Sequence, residues 1–267
     1  MALLLEYDGR RYHGWQTQPD VPTVQAAVRT ALVPLAGPAV RVVGASRTDA
    51  GVHALGQVAS VVSPAPLAPS TVMAVLNARL PPDVRVLAAR AAPDGFDARR
   101  AARLKRYGYR LRTTVVPSPF LRGYAWELGR PVEVRAMRRA LASLRGKHDF
   151  SAFCAAPGRE RDPVCTVRSA RVVVRRDEVW VLLSADAFLH HMVRNVVGTV
   201  VEIGRGRRPV EWAGAVLAGR DRRGAGPTAP AAGLFLLSVR YPLPLFPGGG
   251  RRRQGPVRAG PGRDGGP

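Results

Sequence analysis

Short runs of alternating apolar and polar residues trade places along the chain with longer runs whose apolar residues recur every three or four positions, and the exchange occurs twice in the same order. In the first half, Leu3 to Tyr7 predicts a strand, and Val24, Val28, Ala31 and Leu32 share one face of a helix over Thr23 to Leu32. Strands are predicted at Val40 to Gly44 and Gln57 to Val62, then a helix from Ser70 to Leu80 stopped by Pro81 and Pro82, then a strand at Val84 to Ala89. In the second half, Lys105 to Leu111 predicts a strand, and Val134 to Leu144 a helix that buries Met137, Leu141 and Leu144. A hairpin over Ala170 to Arg175 and Val179 to Ser184 turns at Arg176 and Asp177; a long helix covers Phe188 to Ile203, and a strand covers Leu234 to Tyr241, with one extra helix at Val210 to Ala218.

A twofold β-α-β-β-α-β order predicts an α+β fold of two ferredoxin-like halves, with antiparallel sheets covered by helices on one face and a basic cleft between them. The expected division is an N-terminal domain over residues 1–102 and a C-terminal domain over 103–247, meeting in the basic stretch ARRAARLKR. Residues 248–267, GGGRRRQGPVRAGPGRDGGP, have no apolar periodicity and predict a disordered tail rich in Arg, Gly and Pro.

Charge narrows the function. The formal net charge of the 267 residues is +22, and an excess of that size predicts a polyanionic partner, because cations that neutralise phosphates release condensed counterions. Only Lys105 and Lys147 are lysines, a bias that G+C-rich codons produce, but such a bias exchanges Lys for Arg without creating net charge. Two cysteines, Cys154 and Cys165, exclude a disulfide framework and lack metal-ligand spacing. The apolar stretches are broken by Arg29, Arg41, His190, His191, Arg194 and Asn195, and the start MALLLEYDGRRYHGW does not read as a signal peptide. A soluble, cytoplasmic protein is expected.

The segment densest in chemistry is VVGASRTDAGVHALGQVAS, Val42 to Ser60, which leaves one strand at Gly44 and enters another at Gln57. Asp49 followed by Ala50 and Gly51 fits a surface turn, and Arg47 two residues earlier is the kind of neighbour that keeps a carboxylate ionised while it faces a ligand.

GASRTDAGVHA strongly resembles the signature of the TruA family of tRNA pseudouridine synthases, and it has company: YDGRRYHGWQTQ at Tyr7 to Gln18, FDAR at Phe96 to Arg99, KRYGYRL at Lys105 to Leu111, GKHDFSAF at Gly146 to Phe153, AFLHHMVRNVVG at Ala187 to Gly198, and TAPAAGLFLLSVRY at Thr228 to Tyr241. The resemblance implies an isomerase that detaches uracil from C1′ of its ribose and rejoins it through C5, at uridines 38, 39 and 40 of the tRNA anticodon stem-loop, without cofactor or metal. It implies a homodimer, with Asp49 as the catalytic carboxylate. Arg47 would hold the target nucleotide out of the stack, Tyr107 would stack on the flipped base, and Arg194 would pair with Asp49. His53 is expected to be structural, and so are Tyr7, Asp8, Gly9, Trp15 and Gln16, which are expected to pack the loop without touching RNA. His190 and His191, adjacent on a helix, are not expected to face one metal ion.

Two departures stand out. Ser46 occupies a position where the family usually has Gly, which is tolerable only if the backbone there does not need positive φ, and Arg100 and Ala101 replace an aromatic residue and a Ser. A non-catalytic RNA-binding protein on the same fold is the alternative reading, and Asp49→Asn separates the two.

Overall fold

A computed structural model of the chain describes residues 1–64, 66–155 and 162–246; the expected tail at 248–267 lies outside them. The elements in order are β1 (Ala2–Tyr7), α1 (Val24–Ala36), β2 (Arg41–Gly44), β3 (His53–Val62), α2 (Pro69–Arg79), β4 (Val84–Arg90), β5 (Leu104–Arg112), β6 (Trp126–Glu127), α3 (Val134–Ala142), β7 (Gly146–Asp149), β8 (Val164–Arg175), β9 (Glu178–Ala185), α4 (Met192–Gly204), α5 (Trp212–Gly219) and β10 (Leu234–Arg240).

Each predicted element is present, with shifted ends. Helix α1 begins at the Thr23 cap and runs through Pro34 to Ala36, a turn beyond the expected end, stopping at Gly37 with φ 77°. The β8–β9 hairpin turns at Arg176, whose φ of 54° suits a tight connection between twisted strands. The short strands β6 and β7 were not expected; two and four residues carry too little periodicity to be read.

The largest difference is in the sheet. The sequence reading expects two sheets, whereas all ten strands form one, in the order β4-β1-β3-β10-β5-β9-β8-β7, with β2 on β3 and β6 on β5. Strand β1 occupies one edge of β3 along its length. The other edge is shared: β2 pairs with its Ala59–Val62 end and β10 pairs in parallel with its His53–Ala54 end. This short parallel pairing joins the two halves, and it was invisible in the sequence because each strand's apolar pattern is satisfied by its own half.

Along β8 and most of β9 buried residues alternate with more accessible ones, so in the second half the main core lies on one face of the sheet, while a smaller buried cluster of Leu4, Ala45, Val58 and Ala98 forms separately in the first half. Helices α1 and α2 pack over the first half, and α3, α4 and α5 over the second. Tyr107, Tyr109 and Leu111 of β5 point into this core, where Met137, Val196 and Val200 are also fully or almost fully buried. No helix among the described residues is long and apolar enough to cross a membrane.

Candidate active site

The loop of residues 45–52 leaves the sheet where the edge of β3 passes from β2 to β10, so it stands at the seam of the two halves. Its underside is held by the first motif of the chain. Trp15 N–H donates to the Thr48 carbonyl at 3.0 Å, and Gly51 N–H donates to the Tyr12 carbonyl at 3.2 Å. Gly14, at φ 90°, passes so close that a Cβ there would lie 2.4 Å from the Thr48 carbonyl oxygen. Tyr7, Gly9 and Trp15 are buried beneath the loop, as expected, but Gln16 is exposed and, with His13 and Gln18, lines the cavity above it.

A buried polar chain fixes the loop from inside. Gln57, fully buried, accepts from Ser46 N–H at 3.2 Å and donates to the Ser46 carbonyl at 2.7 Å. Its amide also reaches the Tyr7 hydroxyl, which is 2.8 Å from Thr48 Oγ1. Ser46 is not among the residues of positive φ, so the side chain it adds in place of the family's usual Gly meets no backbone strain. Its hydroxyl instead lies 2.9 Å from the Tyr107 hydroxyl.

Asp49 faces a cavity of about 880 Å³ lined by both halves of the chain, including Arg47, Arg99, Lys105, Tyr107 and Phe188. From α4, Arg194 places Nη1 3.2 Å from Asp49 Oδ2. The guanidinium is anchored behind, with Nε donating to the Ala229 carbonyl at 2.7 Å, and Ala229 N–H returns a bond to the Arg194 carbonyl. The 226–229 segment lies this close because Gly198 leaves room: a Cβ there would sit 1.7 Å from the Pro227 carbonyl oxygen. Tyr107 is buried, and its ring meets Phe188 edge to face at 5.0 Å between centroids. Burial pushes its phenol pKa up and the Ser46 hydrogen bond draws it partly back, so Tyr107 stays protonated at neutral pH. Arg47 is exposed on the cavity wall. The geometry therefore brings Asp49, Arg47 and Tyr107 to one cavity, with Arg194 outside its lining and paired to Asp49.

The histidines depart from expectation. Helix α4 starts at Met192, four residues later than the periodicity implied, because His191 is left-handed at φ 59° and cannot continue a right-handed helix. Freed from helical geometry, both imidazoles reach Asp49: His190 Nε2 lies 3.8 Å from Oδ1 and His191 Nε2 3.5 Å from Oδ2. The three side chains have ligand atoms within 4.8 Å of one another, so the objection that two adjacent histidines cannot face one ion is corrected. Burial lowers the His191 pKa despite the Asp49 carboxylate, which favours a neutral imidazole. Apolar neighbours in AFLHHMVRN masked this pair; the left-handed turn leaves no periodic trace. His53 is buried, accepting from Gly9 N–H at Nδ1, with Nε2 3.0 Å from the Gly123 carbonyl, so it braces the first motif away from the cavity.

A mixed sheet that presents one ion-paired carboxylate in an arginine-rimmed cavity is a frame for single-carboxylate chemistry on an anionic substrate. Comparison with known sequences gives the family. The family profile described as tRNA pseudouridine synthase matches residues 4–99 and 140–242, segments that contain Arg47, Asp49 and Arg194 but not Tyr107. The tRNA pseudouridine synthase A of Myxococcus xanthus is 47% identical over 253 residues, covering 93% of this chain and 96% of the relative. That of Moorella thermoacetica is 46% identical over 244 residues, with 90% and 99% covered, and that of Rhodospirillum rubrum 44% over 241, with 90% and 87% covered. The chain belongs to the tRNA pseudouridine synthase family, the TruA group of isomerases.

Proposed function

We propose that the protein converts uridine to pseudouridine at positions 38, 39 and 40 of the tRNA anticodon stem-loop, with Asp49 as the nucleophile on a flipped-out uridine. The observation that carries this reading is the Asp49–Arg194 pair, with the carboxylate only one-fifth exposed, on the floor of a cavity large enough for a nucleotide. A uridine within a stem is inaccessible to a protein carboxylate until it leaves the stack. Arg47, exposed at the cavity wall, would hold it out, and Tyr107, which lines the same cavity with its hydroxyl on Ser46, would stack on the base. Arg194 pairs with Asp49 and aims its carboxylate. Asp49 attacks either C1′ of the sugar or C6 of the base; on either route the N1–C1′ bond breaks, a C5–C1′ bond forms, and the C5 proton leaves as N1 gains one, so composition is unchanged. The step involves no net redox change and the proposal routes nothing through a metal.

The strand orders β4-β1-β3-β2 and β10-β5-β9-β8 support two ferredoxin-like halves, here proposed as domains 1–102 and 103–247 meeting at the cavity. Cytoplasmic residence and a homodimer are part of the same proposal, following the family resemblance. An unmodified tRNA transcript with uridines at 38 to 40, incubated without metal or cofactor, should acquire pseudouridine there, mapped by carbodiimide-blocked primer extension. Asp49→Asn should abolish the signal while leaving tRNA affinity largely intact. Tight binding without modification by the unaltered chain would favour the non-catalytic reading instead.

A further inference from the structure

The sheet face turned away from Asp49 carries a second basic feature. Lys105 and Tyr107 line the Asp49 cavity, so Arg106 between them points through the opposite face. The register sets Arg106 beside Ser184 of β9 on one side and Ser238 of β10 on the other, and Ser184 beside Ser169 of β8. A row of three hydroxyls and one guanidinium thus crosses four strands. Two irregularities adjoin it. The register shifts between Val167 and Ser169 and again between Leu236 and Ser238, and the first shift leaves Arg168 as an extra outward residue beside the row. With Arg171 and Arg240 it completes a ring of four arginines around a hollow of about 270 Å³.

Exposed arginines are plentiful in this chain, but these four differ in their setting. They converge from three strands on one concavity whose lining includes no Asp or Glu, and no ion pair to any of them exists among the described residues. The neighbouring outward arginines of β5 are neutralised: Arg110 pairs with Glu178, and Arg112 with Asp177 and Glu127. Four guanidiniums gathered without a carboxylate repel one another unless an anion lies between them, and serine hydroxyls beside them suit phosphate oxygens.

We propose that this hollow binds the phosphodiester backbone of a tRNA arm other than the segment that carries the target uridine. The sheet itself separates the two sites, so phosphates flanking a uridine at Asp49 cannot reach Arg106 of the same chain. The backbone held here comes from another arm of the same tRNA or from a second tRNA. The inference rests on tRNA being the substrate but not on which uridines are modified.

The test uses the full chain, the double variants Arg106→Gln/Arg171→Gln and Arg168→Gln/Arg240→Gln, and a tRNA whose uridines 38 to 40 are replaced by cytidine, so that turnover plays no part in binding. Each double variant should bind roughly tenfold more weakly near physiological salt, and the slope of log affinity against log salt should shrink by about 2. An isolated anticodon stem-loop should bind all forms alike. With unmodified tRNA, KM should rise while kcat at saturation holds. A fall in tRNA bound per chain would identify a second tRNA, and an unchanged ratio another arm of the same one; both support the proposal. Unchanged affinity and salt slope would overturn it. So would a variant that alters only self-association in sedimentation, which would assign the hollow to a protein interface. Failure of the wild-type chain to modify any tRNA would sink the proposed reaction while leaving this binding measurement intact.

Discussion

Arg194 Nη1 lies 3.2 Å from Asp49 Oδ2 although 145 residues separate the two in sequence, and the contact spans the seam of the sheet. The same guanidinium donates through Nε to the Ala229 carbonyl, so its fork is held at two points. A lysine keeps the charge but has no fork to satisfy both acceptors at once. Arg194→Lys should therefore lower kcat about a hundredfold, in line with the cost of breaking one side of a partly buried charge pair, while tRNA affinity in filter binding changes little. Full activity in the lysine variant would mean that charge alone suffices and that the aimed geometry contributes nothing.

Ser46 sits in the loop that carries Asp49, where the family resemblance leads one to expect Gly, and its hydroxyl meets Tyr107 at 2.9 Å. Ser46→Gly returns the usual residue and removes that partner without opening strain, since the backbone there already has ordinary φ. A single neutral hydrogen bond contributes about 0.5–1.5 kcal/mol, so the expected change in single-turnover rate is roughly twofold to tenfold. In a Tyr107→Phe background the same Ser46 substitution should have no further effect. Additive losses in the double variant would show that Ser46 acts through something other than the phenol.

The sequence was informative wherever chemistry or period is local. The loop around Asp49, the strand of Tyr107 and the helix of Arg194 were all placed by pattern and resemblance, and the structure gathers them at one cavity. Legibility failed where geometry depends on a single backbone choice or on a distant partner. His191 adopts a left-handed conformation that cuts the predicted helix at Met192 and turns both imidazoles toward Asp49. Only Gly routinely advertises such a turn, so the histidine gave no sign of it. Gln57 read as a strand residue, yet its amide is the internal brace of the loop, because burial of its side chain depends on how β3 meets Ser46. The β3–β10 pairing, which merges two expected sheets into one, involves only His53 with Phe235 and Ala54 with Leu236, too short a contact to leave a pattern.

The role of Gln57 can be measured through stability. In Gln57→Leu the buried N–H and carbonyl of Ser46 lose their partners, a penalty of about 1–3 kcal/mol for each group left unsatisfied. Calorimetry should show a melting temperature lower by roughly 5–10 °C for a chain of this size. Activity assayed well below that temperature should also fall, since the same two bonds help hold the loop that carries Asp49. A variant that melts like the wild type would show that the loop is held by Trp15 and Tyr12 alone.

His53 supplies a pH dependence whose sign follows from its setting. Its Nδ1 accepts from Gly9 N–H, and Asp8 Oδ1 lies 3.2 Å from the same nitrogen. Burial lowers its pKa below the ordinary 6.5, and the opposing pull of the Asp8 carboxylate, with Arg10 close by, does not restore it. The folded state thus holds fewer protons than the unfolded state in the window below 6.5, and stability must fall as pH drops through that window and level off below the folded pKa. His191, also lowered by burial, adds to the slope with the same sign. Melting temperatures measured from about pH 7.5 down to about pH 5.5 should decline, and in His53→Gln, less stable at neutral pH, the decline should be visibly shallower. If the variant's decline were as steep as the wild type's, the proton would be taken up elsewhere, and His53 would be ionised in the fold instead of bracing it as a neutral ring.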